Sequence, residues 1–406
     1  MAIAFLILSV YKMYQISEKL TNKKVISIII STLIILNPFT FELMIYLEKG
    51  VSIMSFCASI YAVYYMLKYF EDKRKSSLIK TILLLLISSF SYQGTTTIFV
   101  CICLVLIIKY SNTIKDFFKN NVIVAFCFGI PYLLNYICIK LFYTSTRIEG
   151  EKSILANISQ IISDLPTMLI DTYNILPKYL FLIIFVVLLI IYLISLCTNK
   201  NVKHNIYILF GFCYVIIGTF LITVLPQFVL ETSSVELVAR STISFGAIIG
   251  ITMFYAFSNI KINLKLKFLI EIIAVVYLII EVFYIQNLIA DHYVLNYLDL
   301  QTATLIEQEI EKYETENNIT IEYIVYYEDA NISNSYPNLI NCEQINRKVV
   351  SMYEKLHLLE YVSGRSYTES VETNSVYAEY FSQYDWDFFD TDQIIFDGNV
   401  AHICQF

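Results

Sequence analysis

Long apolar runs separated by short polar and basic stretches occupy the first 286 residues. Runs of roughly 18 to 22 apolar residues can cross the hydrocarbon core of a bilayer as α-helices. The pattern predicts about eight membrane spans, at 1–11, 24–47, 50–69, 121–142, 179–197, 205–226, 240–259 and 268–286. Because the long runs end there, we predict a transmembrane domain over 1–286 and a separate polar domain over 287–406.

Residues 79–109 require a different interpretation, because both ends of this apolar stretch are basic. Roughly 30 residues at ~1.5 Å each are too few for two full crossings. We therefore predict a hairpin of two short helices with Ser91-Tyr92-Gln93-Gly94 at its tip. Such breaks are tolerated at membrane depth where protein or a water-filled cavity satisfies the backbone.

The segment that begins Asn37-Pro38 should break the second span, because proline lacks an N–H and moves the preceding residue away from helical geometry. The break would place Glu42 at the water boundary. A carboxylate at membrane depth is unfavourable by roughly 2.5 to 3.5 kcal/mol unless it faces a cavity or a partner. The alternative is that Glu42 and Glu48 are ordinary loop charges, paired with Lys49.

Two further regions carry recognisable patterns. In the loop 143–178, apolar residues recur at helical spacing, namely Ile154, Ile158, Ile161 and Leu165. This spacing predicts an amphipathic helix that ends at Pro166. The helix would lie either in the membrane interface or on the protein's own surface.

In the polar domain, residues 320–327 alternate between apolar and polar as in a strand. A β-hairpin pattern follows at the end of the chain, with strands at 393–396 and 400–404 and the turn at Asp397-Gly398. With helical patterns at 345–361 and 374–382, this is a small α/β domain.

Composition and charge indicate which side of the membrane each polar segment faces. The chain is 57% hydrophobic, and residues 1–286 carry 23 Lys and Arg against 14 Asp and Glu, whereas residues 287–406 carry 5 against 21, or net charges of +9 and −16. Short cytoplasmic loops retain positive residues, so the basic clusters at 12–24, 68–80, 109–119, 200–204 and 261–267 are assigned to the inside. The acidic domain is then extracytoplasmic and excludes nucleic acid as a partner. Parity also places the amino terminus outside, which indicates either that an upstream helix and its outer loop are missing from this chain or that its start is misassigned.

Polar residues on the outer side are the candidates for a site. Arg240 begins a span at the depth of a lipid phosphate, which a guanidinium binds by a planar fork; the alternative is an arginine that snorkels to the interface. Glu281 lies about one turn inside the last span, where an unpaired carboxylate is unfavourable. It either pairs with Arg240 or lines the cavity, together with Glu48, Tyr92 and Gln93.

Four features in this order resemble a known family: Asn-Pro-Phe followed by Glu42, the Ser-Tyr-Gln hairpin at 91–93, Arg240, and the closing Tyr384-Asp385-Trp386-Asp387 with its terminal hairpin. They are similar to integral-membrane glucosyltransferases that include the serotype-converting O-antigen glucosyltransferases. The resemblance implies a GT-C-like multipass enzyme of the bacterial cell membrane. Such an enzyme moves a sugar, typically glucose, from a polyprenyl-phosphate carrier to a cell-envelope glycan on the outer side.

An inverting transfer needs a carboxylate base near the acceptor hydroxyl and positive charge on the leaving phosphate. Glu42 and Arg240 would take these roles; a divalent metal held by Glu42 and an acidic residue of the missing loop is an alternative. Two other functions stay open: a carrier or flippase for lipid-linked saccharides, whose charged cavity binds without chemistry, and a non-catalytic envelope assembly subunit. We find no internal repeat of the spans, which argues against a repeat-built carrier.

Overall fold

The computed structural model of the protein describes residues 2–45, 50–142, 153–197, 202–229, 235–260, 262–328, 352–370, 374–384, 386 and 389–405. The chain divides into two compact units, Met1–Ile285 and Gln286–Phe406. The helices of the first unit are α1 (Ala2–Thr21), α2 (Lys24–Ile35), α3 (Glu42–Ile45), α4 (Gly50–Asp72), α5 (Lys75–Ser91), α6 (Gln93–Lys109), α7 (Ile114–Phe142), α8 (Ile154–Pro166), α9 (Leu180–Cys197), α10 (Val202–Val224), α11 (Ile243–Gly246) and α12 (Ile248–Asn259). Helix α13 (Leu264–Asn317) begins in the first unit and ends in the second.

Five of the described helices are long and apolar enough to cross a membrane, namely α4, α7, α9, α10 and α13. A sixth results if α2 and Pro38–Met44, bent by 54°, form one span. The protein is therefore a polytopic helical membrane protein with fewer long spans than the eight predicted. The predicted span 240–259 is absent from this set because the chain breaks at Thr242 and Ala247, which leaves α11 and the 12-residue α12.

The predicted span 1–11 is also different, because α1 continues through Lys12 to Thr21 where the sequence predicted a loop. The Lys12 Nζ lies 4.9 Å from the centroid of the Tyr61 ring and 4.3 Å from that of Tyr64, and it donates to Gln15 Oε1 at 2.7 Å. Cation–π contacts of this kind stabilise a charge beside apolar surface. The helix can therefore continue past a lysine that the pattern alone assigned to a loop.

The predicted hairpin at 79–109 is confirmed as α5 and α6, which are separated by Tyr92 in extended conformation. Buried hydroxyl groups satisfy the backbone at this break. The Ser55 Oγ lies within donating distance of two carbonyl oxygens, that of Ser88 at 2.8 Å and that of Tyr92 at 2.9 Å, and it lies 2.6 Å from the Thr95 Oγ1. A side chain of α4 thus supplies a hydrogen-bond partner at the break between the two helices.

Helix α6 is the centre of the first unit, since every residue of 95–108 is buried. It packs against α4, α5, α7, α10, α11 and α12. A helix that is apolar on all sides needs this enclosure. Gly250 of α12 permits a similarly close approach to α2, because a Cβ there would lie 2.9 Å from the Ile34 backbone nitrogen.

The second unit contains a four-stranded sheet with the order β2-β1-β4-β3, formed by β1 (Tyr323–Glu328), β2 (Thr368–Glu369), β3 (Ile394–Asp397) and β4 (Val400–Gln405). Strand β1 is parallel to β2 and β4, and β3 is antiparallel to β4. The predicted hairpin is confirmed, with Gly398 at φ +59° in the turn between β3 and β4, as the left-handed position of a tight turn requires. The helices α14 (Met352–Ser363) and α15 (Asn374–Val376) complete the unit.

The two faces of this sheet pack differently, because side chains alternate along each strand. One face packs against Ile306 and Ile310 of α13 and Leu359 of α14. The other face carries Val325, Tyr327 and Cys404 and packs against Phe381. Beside them, the Tyr327 hydroxyl lies 3.0 Å from the His402 Nδ1, and burial lowers the pKa of the His402 imidazole below its usual value of 6.5, although Asp397 opposes the shift.

Candidate functional site

Two broken helical segments of the first unit meet. Helix α2 ends at Ile35, and the 3₁₀ turn Pro38–Phe41 follows; the Asn37 Oδ1 accepts from the Phe39 N–H at 3.1 Å, as the Asn-Pro pattern predicts. This turn contacts a second 3₁₀ turn, Ala239–Ser241, and α11. Gly246 makes the contact possible, because a Cβ there would lie 2.3 Å from the Asn37 Oδ1.

The contact between the two segments joins the two residues that the sequence predicted to carry the chemistry. The backbone N–H of Arg240 donates to the Glu42 Oε2 at 2.7 Å, and the Arg240 Nη1 forms a short ion pair with the Glu42 Oε1. The Glu42 side chain has no exposed surface, whereas a quarter of the Arg240 side chain is exposed. A carboxylate that accepts from both the main chain and the side chain of one arginine restricts the position of the guanidinium.

A third irregular segment lies beside this pair. Helix α8 is followed by a π-helical turn, Thr167–Asp171, and by three residues with positive φ: Thr172 at 47°, Tyr173 at 55° and Asn174 at 61°. The Tyr173 hydroxyl lies 3.0 Å from the Thr242 Oγ1, and the Tyr173 ring packs edge-on against Phe39 at 5.0 Å.

Left-handed backbone at Thr172 and Tyr173 is unfavourable by about 1 to 3 kcal/mol per residue and persists where the surrounding structure requires it. Sequence reasoning missed Tyr173 and Thr242, because neither residue type indicates left-handed geometry or a tertiary hydrogen bond. Only Asn174, which tolerates this conformation, carried a local signal.

Tyr92 and Gln93, the predicted hairpin tip, are half-buried where α6 begins. One turn further along α6, the Thr97 Oγ1 lies 2.7 Å from the Ser244 Oγ of α11. This end of α6 therefore packs against the segment that carries Arg240. Among the described contacts, neither Tyr92 nor Gln93 forms a hydrogen bond to Glu42 or Arg240.

Glu281 does not pair with Arg240, which was one of the two predicted alternatives. It lies on α13 with 1% of its surface exposed, and among the described residues neither carboxylate oxygen has a hydrogen-bond partner. The Tyr277 hydroxyl, one turn earlier on the same face, is equally buried and also lacks a partner within the described part of the chain. Two unsatisfied polar groups inside a membrane-spanning helix are unfavourable without a ligand or a proton.

Glu48, Arg147 and Glu231 lie outside the described residues. The described part of the chain contains no cluster of three His, Cys, Asp or Glu that could hold a metal ion. The neighbour of Glu42 is a guanidinium, which does not suit a second cation. The Glu42 carboxylate therefore does not fit the divalent metal considered from the sequence.

A family model described as Glucosyl transferase GtrII matches residues 1–251, which is more than half of the chain. The chain belongs to this family of glucosyl transferases, which supports a membrane glucosyltransferase and confirms the resemblance drawn from the sequence. The match includes Glu42, Tyr92, Gln93 and Arg240 and ends before Glu281 and the second unit. Searches of curated proteins and of solved structures found no match.

Proposed function

We propose that this protein transfers a glucosyl group from a polyprenyl-phosphate carrier to a glycan of the bacterial cell envelope, on the outer side of the membrane. The observation that supports this function best is the ion pair between Glu42 and Arg240, which lies where two broken helical segments meet. The chain that carries this pair belongs to a family of glucosyl transferases. A lipid phosphate requires a cation at the level of the head groups, and an acceptor hydroxyl requires a carboxylate.

Arg240 would hold the phosphate of the donor. Its guanidinium presents five N–H donors in one plane, and the contact with Glu42 restricts its position while part of the side chain remains exposed. As the bond between the glucosyl C1 and the phosphate oxygen breaks, negative charge accumulates on the phosphate that leaves. A pre-positioned guanidinium stabilises this charge without reorganising during the reaction.

Glu42 would take the proton of the acceptor hydroxyl. Both of its oxygens accept from Arg240 in the present arrangement, so the role requires that the donor phosphate draw the guanidinium away from Oε1. The hydroxyl oxygen then forms its bond to C1, and its proton moves to the released carboxylate oxygen. This order makes the base available only when the donor is bound.

Glu281 is the second carboxylate that we assign to the site. Its two oxygens lack partners among the described residues, so it can accept from a sugar hydroxyl without breaking an existing ion pair. We propose that Glu281 orients the acceptor, with Tyr92, Gln93 and Glu48 lining the same cavity.

A transfer assay in proteoliposomes tests this function. Purified protein is given polyprenyl-phosphate [¹⁴C]glucose, and radioactivity is followed in the lipid fraction and in an added envelope glycan. We expect label to move to the glycan, and Arg240→Gln to slow this movement strongly. Label that crosses to the opposite leaflet but stays on the lipid would identify a lipid carrier and contradict the proposal. Label that neither moves between molecules nor crosses would leave the assembly subunit as the remaining function.

A further inference from the structure

A continuous series of aromatic rings in the second unit runs from the sheet to the surface. We call it the aromatic stack; its members are His402, Tyr327, Phe381, Trp386 and Tyr384. Successive ring centroids lie 5.9, 5.4, 6.2 and 5.2 Å apart. The inner rings are buried, with 8% of His402, 2% of Tyr327 and 1% of Phe381 exposed, whereas Tyr384 at the outer end is 46% exposed.

The outermost ring of the stack lies outside the cluster that covers the sheet. Phe381 is buried with Val325, Tyr327 and Cys404, and Trp386 packs against this cluster. Tyr384 instead lies flat on Trp386, with an angle of 22° between the ring planes, and presents nearly half of its surface to solvent. Tyr380, on the same segment, is 44% exposed. Aromatic rings that remain this exposed contribute much less burial to folding than they would as core residues.

The surrounding charge restricts what these rings can bind. Residues 287–406 carry a net charge of −16, and the carboxylates Glu379, Asp390 and Asp392 are exposed close to the stack in sequence. Repulsion between like charges disfavours an anionic polymer or an anionic membrane surface. Exposed carboxylates accept hydrogen bonds from hydroxyl groups, and flat aromatic faces pack against aliphatic C–H groups.

A neutral saccharide offers both kinds of group, because a pyranose ring has an apolar C–H face for the aromatic rings and a rim of hydroxyl groups for the carboxylates. We propose that Tyr384 and Trp386, with Tyr380, form a binding platform for a neutral saccharide chain. The identification of that chain as the acceptor rests on the proposed function; the binding itself does not. The platform lies outside the residues matched by the family model.

Trp386 is the only tryptophan in the chain, so its fluorescence reports directly on the platform. The full chain is placed in nanodiscs of zwitterionic lipid and titrated with a panel of neutral oligosaccharides, including maltohexaose and cellohexaose, under selective excitation of tryptophan. We expect a saturable change in Trp386 emission. Tyr384→Ala should weaken binding by roughly tenfold, the effect of losing about 1.4 kcal/mol of ring contact, whereas Tyr384→Phe should bind within about twofold of the parent.

Tyr361→Ala is the matched control, since this tyrosine of α14 is 78% exposed and is not part of the stack. Three results would overturn the proposal: no member of the panel changes the emission, Tyr361→Ala weakens binding as much as Tyr384→Ala, or choline binds at Trp386 and the saccharides do not. Quenching of Trp386 by brominated lipid before any saccharide is added would instead assign these rings to the membrane surface. Saccharide binding without glucosyl transfer would support the platform and refute the proposed function. Glucosyl transfer without saccharide binding at Trp386 would support the proposed function and refute the platform.

Discussion

Replacing Glu42 by glutamine tests the central ion pair, because the amide keeps the shape of the side chain but removes its charge. One amide oxygen can still accept from the Arg240 backbone N–H, but the NH₂ group then faces the guanidinium, donor against donor. Breaking a buried ion pair is unfavourable by about 3 to 5 kcal/mol. Since a quarter of the Arg240 side chain is exposed, we take the lower value, about 3 kcal/mol, as the loss in folding stability.

Loss of the carboxylate as base lowers the rate, because general acid–base catalysis contributes roughly 100- to 10,000-fold. We therefore expect Glu42→Gln to lower glucosyl transfer by roughly 100- to 10,000-fold with little change in donor binding. The assay is initial transfer from polyprenyl-phosphate [¹⁴C]glucose in proteoliposomes. Glu271→Gln is the matched control, since its carboxylate is also paired within the first unit, 3.5 Å from the Lys267 Nζ.

A double substitution separates chemistry from positioning. If Glu42 only holds Arg240, then Glu42→Gln should have no further effect once Arg240 is glutamine. If Glu42 also takes the proton, the double variant should be at least tenfold slower than Arg240→Gln alone, which is our expectation. Equal rates for these two variants would refute the role of Glu42 as base and leave it as the residue that positions Arg240. Thermal unfolding of each variant shows whether a loss of rate is a loss of fold.

Three other outcomes are expected. Arg240→Lys should weaken donor binding roughly tenfold or more, because an ammonium cannot reproduce the planar fork; donor affinity equal to that of the parent would favour a snorkelling arginine. A cysteine introduced at an exposed position of the second unit, such as Tyr361, should react with an impermeant maleimide in intact cells, and reaction only after lysis would reverse the predicted topology. The second unit should become less stable as pH falls below about 6.5. The pKa of His402 is lower in the folded state than in the unfolded chain, so the unfolded chain binds more protons in this pH range. His402→Gln should flatten this dependence, measured as the midpoint of urea unfolding at several pH values.

Local chemistry made part of this structure predictable. The break at Asn37-Pro38 follows from the missing N–H of proline. The break at Tyr92 follows because the apolar stretch between two basic ends is too short to cross the membrane twice. The final hairpin follows from the Asp397-Gly398 turn between two strands with alternating side chains. Each signal lies within a few residues of the feature it predicts. The breaks at Thr242 and Ala247 have no proline, so the pattern alone continued a helix through them.

The sequence predicted which residues form the site, but it did not predict which of them contact one another. Glu42 and Arg240 were selected because each lies at the end of an apolar run, yet 198 residues separate them and no periodicity indicates that they meet. The sequence offered Glu281 as a partner for Arg240, but tertiary packing pairs Arg240 with Glu42 instead. Tyr173 could not be selected, because its position depends on left-handed backbone that its neighbours in the fold impose.

The enclosure of α6 also has a consequence for how the chain is made. Ribosomes deliver helices to the membrane in order, yet the neighbours of α6 include α10, α11 and α12, and Thr97 meets Ser244, a residue synthesised 147 positions later. Until those helices emerge, one side of α6 must rest against lipid or the insertion machinery, with the Thr97 hydroxyl bonded only to the Gly94 carbonyl of its own turn. Nascent chains arrested before α10 should therefore expose α6 to a lipid-phase crosslinker, and that exposure should end when α12 is released.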